Sequence, residues 1–196
     1  MSAPEQASAN WEKTLTATTA EQTHALGARL AEVLQAGDLL VLSGELGAGK
    51  TTFTQGLGEG LGVRPGVISP TFVLVRIHPN LPGGPRPGGP DLVHVDAYRL
   101  GSAAEIDDID LENTMDSSVT VVEWGHERVE HLSDSRLEID LHRAIGLGAG
   151  GVAGTSGTLD FDGGDTDEPR TIVMRGYGPR WAAVPELAGP AGGVAC

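Results

Sequence analysis

Cysteine is almost missing from this chain. Its single cysteine is Cys196, the last of 196 residues, so no internal disulfide can form. That usage fits a reducing, cytoplasmic setting. Long apolar runs are missing too. Hydrophobic residues make up 39% of the chain, and no run approaches the about 20 residues that span a bilayer. Residues 1–10 carry no basic stretch followed by an apolar one, so no secretory signal is expected there. Positive charge is scarce as well. Lys and Arg total 13 against 27 Asp and Glu, a formal net charge of −14. A chain this acidic repels polyanions, so it is not expected to hold RNA or DNA by itself through phosphate contacts. Any nucleic acid involved needs a partner that supplies the basic surface.

Only two lysines are present, Lys13 and Lys50, and the second stands in the most informative segment. Gly44-Glu45-Leu46-Gly47-Ala48-Gly49-Lys50-Thr51 is a complete G-x-x-x-x-G-K-[ST] match, the phosphate-binding loop of P-loop NTPases. Each fixed position has a mechanical reason. The glycines allow positive φ and a close backbone approach to an anion. The loop amides form a concave nest for phosphate oxygens, and the following helix aims its positive end at them. Lys50 is placed to reach the β- and γ-phosphates, and the Thr51 hydroxyl to ligate Mg²⁺. The expected nucleotide-binding set is therefore Glu45, Leu46, Gly47, Ala48, Gly49, Lys50, Thr51 and Thr52. The context agrees. Residues 38–43 read as a short buried strand, and residues 51–61 as a helix with Phe53, Leu57 and Leu61 at helical spacing.

The length predicts one domain over residues 1–186 with a disordered tail at 187–196. Thr18 and Glu21 read as a capping box opening a helix that carries Leu26, Leu30, Val33 and Leu34 and stops near Gly37. Residues 72–77 read as a strand and 92–96 as its returning partner. Between them, residues 78–90 hold five of the 12 prolines and read as a mobile hairpin connection. Residues 103–115 form a weak acidic helical segment, 119–122 a buried strand, 137–142 an edge strand and 170–177 the last strand. A second Gly/Ala-rich and acidic insertion covers 146–168. Interleaved strands and helices around a P-loop predict an α/β fold of the P-loop NTPase type: three layers, a mixed sheet and helices on both faces.

Hydrolysis needs more than a phosphate cradle; it needs an acid near the metal and a group that positions water. Glu123 is the first candidate, because it ends a hydrophobic strand as a Walker B acid does, and such strands end at the ligand crevice of open α/β sheets. Asp96 also ends a β-run and is a second metal-shell candidate. Ser69-Pro70-Thr71-Phe72 reads as an ordinary turn before a strand, although hydroxyls held there could contact the γ-phosphate or Mg²⁺.

Four ordered segments give these pieces a common pattern: Gly-Glu-Leu-Gly-Ala-Gly-Lys-Thr-Thr at 44–52, Ser-Pro-Thr-Phe at 69–72, His-Val-Asp-Ala-Tyr-Arg-Leu at 94–100 and Glu-Trp at 123–124. In order and spacing the chain resembles the bacterial ATPase family TsaE, also called YjeE, over roughly residues 14–143. The resemblance implies an ATPase that binds ATP with Mg²⁺ and hydrolyses it slowly. It also implies two partners, the threonylcarbamoyl-transferase subunit and its paralogous scaffold subunit, in the assembly that modifies adenosine 37 of tRNA. The ATP cycle is then thought to reset the complex, with tRNA met only indirectly. By motif, Lys50 contacts phosphates, Thr51 binds Mg²⁺, Asp96 belongs to the metal and water shell, and Glu123 is the catalytic or Walker B acid. Thr71 lies in the switch region. Trp124 lies beside the nucleotide, supports Glu123, or is simply a core residue. The insertions at 79–90 and 146–168 are longer than the family pattern.

A small-molecule P-loop kinase is the alternative, but no arginine cluster follows the loop helix at lid position. A GTPase would show Asn-Lys-x-Asp, and none of Asn10, Asn80 and Asn113 is followed by lysine.

Overall fold

The computed structural model describes residues 8–100, 102–107, 110–143 and 168–187. The enlarged loop expected at 146–168 and the tail expected at 187–196 fall outside them, apart from Glu168 and Leu187.

Among the described residues, seven strands form one sheet: β1 (Trp11–Ala17), β2 (Leu39–Ser43), β3 (Val75–His78), β4 (Asp91–Asp96), β5 (Ser118–Glu123), β6 (Arg136–Arg143) and β7 (Arg170–Tyr177). Their order across the sheet is β1-β7-β6-β2-β5-β4-β3. The four central strands β6, β2, β5 and β4 run parallel. Antiparallel strands flank them, β3 at one edge and the β7–β1 pair at the other. This is the mixed α/β sheet that the alternating pattern predicts.

The two faces follow from the period-2 alternation of side chains. On β2, Leu40 and Leu42 point one way and Leu39 and Val41 the other. The first face is covered by the long helices α1 (Ala20–Ala31) and α2 (Lys50–Leu61), through Leu26, Leu30, Phe53, Leu57 and Leu61. The second face is covered by two short helices, α3 (Ala103–Asp107) and α4 (Glu112–Met115), with Ile106, Leu111 and Met115 buried there. Helices therefore lie on both faces.

Local sequence reading misplaces three features. The cap of α1 is Thr19, not Thr18: the Thr19 hydroxyl accepts from Gln22 N at 3.2 Å, and Gln22 Oε1 reaches back to Thr18 N at 2.8 Å. The box is built from Thr19 and Gln22, one residue later than the pair Thr18 and Glu21. The strand expected at 72–77 starts only at Val75. Residues 70–73 turn instead, with Val73 N and Leu74 N both donating to Pro70 O. Strand β6 is internal rather than an edge, lying between β2 and β7. Its alternation reflects a strand covered by α1 and α2 on one face only.

The Pro/Gly-rich connection between β3 and β4 is tied to the body. Asn80 Nδ2 donates to Leu61 O and Arg86 O, each at 2.9 Å. Arg86 donates to Ala31 O at 2.9 Å and Leu34 O at 2.8 Å. Ala31 O also accepts from Leu34 N at 3.3 Å, so Arg86 adds a second bond there and gives Leu34 O its donor.

Helices α1 and α2 meet at unusually short range because glycines line the crossing. A Cβ at Gly56 would lie 1.9 Å from His24 O, and one at Gly27 2.2 Å from Phe53 O. Only hydrogen fits at these positions, and the crossing sets the height of α2, hence of the loop at its start. Gly56→Ala should cost about 1–3 kcal/mol through overpacking against backbone. Gly83→Ala, which faces open space, should stay within about 0.5 kcal/mol. Urea denaturation of the two variants checks the contrast.

His78 is buried, and its Nε2 has no hydrogen-bond partner among the described residues. Burial first, then His94, Arg76 and Arg64, push its pKa below the ordinary histidine value. The unfolded chain then binds the proton that the fold refuses, so stability is full above about pH 6.5 and falls as the pH drops below it. His78→Leu should lose less stability than the parent between pH 7.5 and 5.5, measured by denaturant unfolding at both values.

Candidate functional site

Parallel pairing brings three strand ends to one level. Leu42 of β2 lies opposite Glu123 of β5, which lies opposite Asp96 of β4. Backbone bonds continue the alignment past the strands: Trp124 N donates to Leu42 O at 3.0 Å, and Ala97 N to Glu123 O at 2.9 Å. The crevice at the carboxyl ends of parallel strands is where open α/β sheets bind ligands. Here it receives the glycine-rich loop, which leaves β2 at Ser43 and enters α2 at Lys50.

The loop takes the shape its glycines allow. Gly44, Gly47 and Gly49 have φ of 144°, 78° and 101°. Gly44 is irreplaceable for a second reason, since a Cβ there would lie 2.4 Å from Leu141 O. Ala48 is buried against the body, while Leu46 projects into solvent. Thr51 and Thr52 are half-buried in the first turn of α2.

Lys50 is 7% exposed. Its Nζ donates to Gly44 O at 2.8 Å and Glu45 O at 3.1 Å, and lies 4.5 Å from the centre of the Trp124 ring. Burial lowers the pKa of the amine, and the charges of Glu123, Asp96 and Glu45 oppose that drop. Both strand-end acids therefore act on the loop lysine. Residues far apart in sequence converge: Lys50, Asp96 and Glu123 share one crevice, and Trp124 stands over the lysine.

Asp96 is held from two sides. Its Oδ2 accepts from Thr71 Oγ1 at 2.7 Å, and its Oδ1 from Tyr98 N at 2.9 Å. Thr71 Oγ1 lies 2.8 Å from Ser69 Oγ. The Ser69-Pro70-Thr71 turn, ambiguous as sequence, is thereby tied to the acid on β4. Trp124 has φ of 60°, in the left-handed region where a bulky residue is costly. That conformation turns the indole back over Lys50 and within 5.5 Å of the Tyr98 ring.

Glu123 has a partner that sequence reading passed over. His94 Nε2 lies 2.8 Å from Glu123 Oε1, and both side chains are buried. His94 precedes Asp96 by two residues, so strand periodicity already puts the two on one face. Two arginines at the other flank of the loop were also missed. Arg143 Nε donates to Gly47 O at 3.2 Å, and buried Arg170 packs against Gly49, where a Cβ would lie 3.3 Å from its Nε. They come from the ends of β6 and β7 and have no local motif.

The donor set suits a hard cation beside phosphate: two carboxylates, the hydroxyls of Thr51, Thr71 and Ser69, and no thiol or thioether. The loop supplies backbone amides and the amine.

Comparison with known proteins gives this geometry relatives. The family model described as "Threonylcarbamoyl adenosine biosynthesis protein TsaE" matches residues 17–146. A Streptomyces coelicolor protein named tRNA threonylcarbamoyladenosine biosynthesis protein TsaE is 51% identical over 167 residues, covering 84% of this chain and 98% of that one. The protein of the same name from Mycobacterium tuberculosis is 46% identical over 129 residues, covering 63% of this chain and 74% of its own. The crystal structure of Bacillus subtilis YdiB superposes with a TM-score of 0.58 at 31% identity, covering 86% of this chain and 87% of that one. A P-loop-type α/β sheet carrying the four ordered segments and matched over most of its central body places the chain in the TsaE family.

Proposed function

We propose that this protein is the ATPase subunit required for threonylcarbamoyladenosine modification of tRNA position 37. In this reading it binds ATP with Mg²⁺ in the cytoplasm and hydrolyses it slowly. The output is a conformational reset of a complex with the threonylcarbamoyl-transferase subunit and its paralogous scaffold. The observation that carries the reading is the convergence of Lys50, the Thr71–Asp96 pair and Glu123 at the carboxyl ends of β2, β4 and β5, in a member of the TsaE family.

The loop amides and Lys50 hold the phosphates, and Thr51 and Asp96, with Glu123 through water, are the expected metal contacts. A Mg²⁺ ion held by these residues would offset the negative charge of the phosphates. Glu123 commits one carboxylate oxygen to His94; among the described residues its second oxygen has no hydrogen bond, which leaves it able to orient water or accept its proton. His94 fixes the carboxylate's rotation. The Ser69–Thr71 turn reports on the site by way of Asp96, as a switch segment must.

Two features favour work through partners. The net charge of −14 is unsuited to holding tRNA directly. Leu46, Phe72 and Tyr98 are 90%, 85% and 64% exposed on the loop, the turn and the segment after β4. Exposed apolar groups gathered near a nucleotide crevice suit a protein surface that closes over it. Among the described residues no helix is long and apolar enough to cross a membrane.

Lys50→Ala should abolish ATP binding. Glu123→Gln should bind ATP normally and lose about 10²–10⁴-fold in turnover. Steady-state phosphate release and equilibrium binding separate the two, and retained hydrolysis in both variants overturns the assignment. His94→Leu should keep ATP affinity within twofold, yet lose about 10- to 100-fold in turnover, because the acid is no longer oriented. His94→Gln, which can still donate, should recover part of that loss in the same assay. Hydrolysis raised only by both partner subunits and tRNA supports the complex; brisk phosphoryl transfer to a small acceptor without them refutes it.

A further inference from the structure

Strand β6 joins the sheet beside β2 on the side opposite β5 and β4, and its last residue is Arg143. Three contacts bind Arg143 to the phosphate loop. Its backbone N donates to Glu45 Oε1 at 3.0 Å, which holds that carboxyl below the usual range. Its Nε donates to Gly47 O at 3.2 Å. Its guanidinium lies so close to Gly47 that a Cβ there would stand 2.6 Å from Nη2. Glu168 Oε2 lies 3.8 Å from Nε, and the side chain remains 41% exposed. One edge of the guanidinium is therefore committed to the loop, and much of its surface is open.

The acids and this arginine stand on opposite flanks. Asp96 and Glu123 lie on the β5–β4 side of the loop, and Arg143 lies on the β6 side. A nucleoside triphosphate reacts at its terminal phosphate, so that end must face the acids. The chain of phosphates then leads the nucleoside away from them, toward β6. An arginine suits that place better than a lysine, because a planar guanidinium can hold a carbonyl with its edge and offer its face to a flat ring.

We propose that Arg143 is the nucleoside-side clamp of the site. Its guanidinium packs against the base and ribose of bound ATP or ADP, and the bond from its Nε to Gly47 O fixes the guanidinium's own position. This rests on the nucleotide-binding reading above.

The test is equilibrium binding of Mg·ATP, Mg·ADP and Mg·tripolyphosphate to the full chain and its variants. Arg143→Ala should weaken ATP and ADP by about tenfold, the range for losing one base–guanidinium stack, and leave tripolyphosphate within twofold. Arg143→Lys, which keeps charge without a planar face, should show most of the same nucleoside-dependent loss. Lys50→Ala should weaken all three ligands. Unchanged ATP affinity in Arg143→Ala overturns the proposal and leaves the ATPase reading standing. Equal losses for ATP and tripolyphosphate also overturn it, and reduce Arg143 to a brace for the loop. A parent chain that binds neither nucleotide overturns the ATPase reading itself, and the clamp with it. Thermal melting of each variant shows that the chain under test is folded.

Discussion

The common level of three parallel strand ends is the constraint on which the site depends. Leu42, Glu123 and Asp96 lie side by side in the ladder, and the bonds from Trp124 N to Leu42 O and from Ala97 N to Glu123 O carry that alignment into the loops. A slip of one residue in any of the three would send its side chain to the opposite face. The register is protected because both faces are buried, so a slip would also expose Leu40 and Leu42 to the wrong layer. The geometry at the crevice thus inherits its precision from apolar packing on the two faces of the sheet.

Helix packing supplies the second coordinate. The loop must stand at a height where Lys50 and the strand-end carboxylates feel one another. Its far end is the first turn of α2, and α2 is held against α1 by a glycine-lined crossing. The same body anchors the long connection after β3, whose Arg86 satisfies carbonyls at the end of α1. Side chains around the crevice are then held by polar pairs: Asp96 by Thr71 and the Tyr98 amide, Glu123 by His94, and Lys50 by two loop carbonyls under the Trp124 ring. Such pairing preorganises charged groups that burial alone would disfavour.

Much of this was readable in the residues. The loop, its strand and its helix follow from glycine spacing and apolar period, and Asp96 and Glu123 from their places at the ends of β-runs. What escaped reading has physical reasons. A capping threonine next to another threonine is decided by which hydroxyl meets an amide, and here Thr19 does. The turn at residues 70–73 overrides the strand preference of Phe72 and Val73 because Pro70 O takes two amide bonds. The alternation of β6 looks like that of an edge strand, since a single covered face leaves the same pattern. His94 was within reach through period 2, whereas Arg143 and Arg170 were not, because nothing in their neighbours marks them.

The sequence by itself determined which groups are on hand: one glycine-rich loop of the phosphate-binding pattern, one lysine within it, two strand-end acids, and a net charge of −14. These are local or summed properties, set by residue type and short spacing. Tertiary structure alone decided which acid is held by which partner, that Trp124 turns back over Lys50, and that arginines from β6 and β7 brace the loop's far flank. Those relations join residues up to about 120 positions apart, such as Gly49 and Arg170. Contacts between distant residues depend on strand order and register, which short-range patterns do not encode.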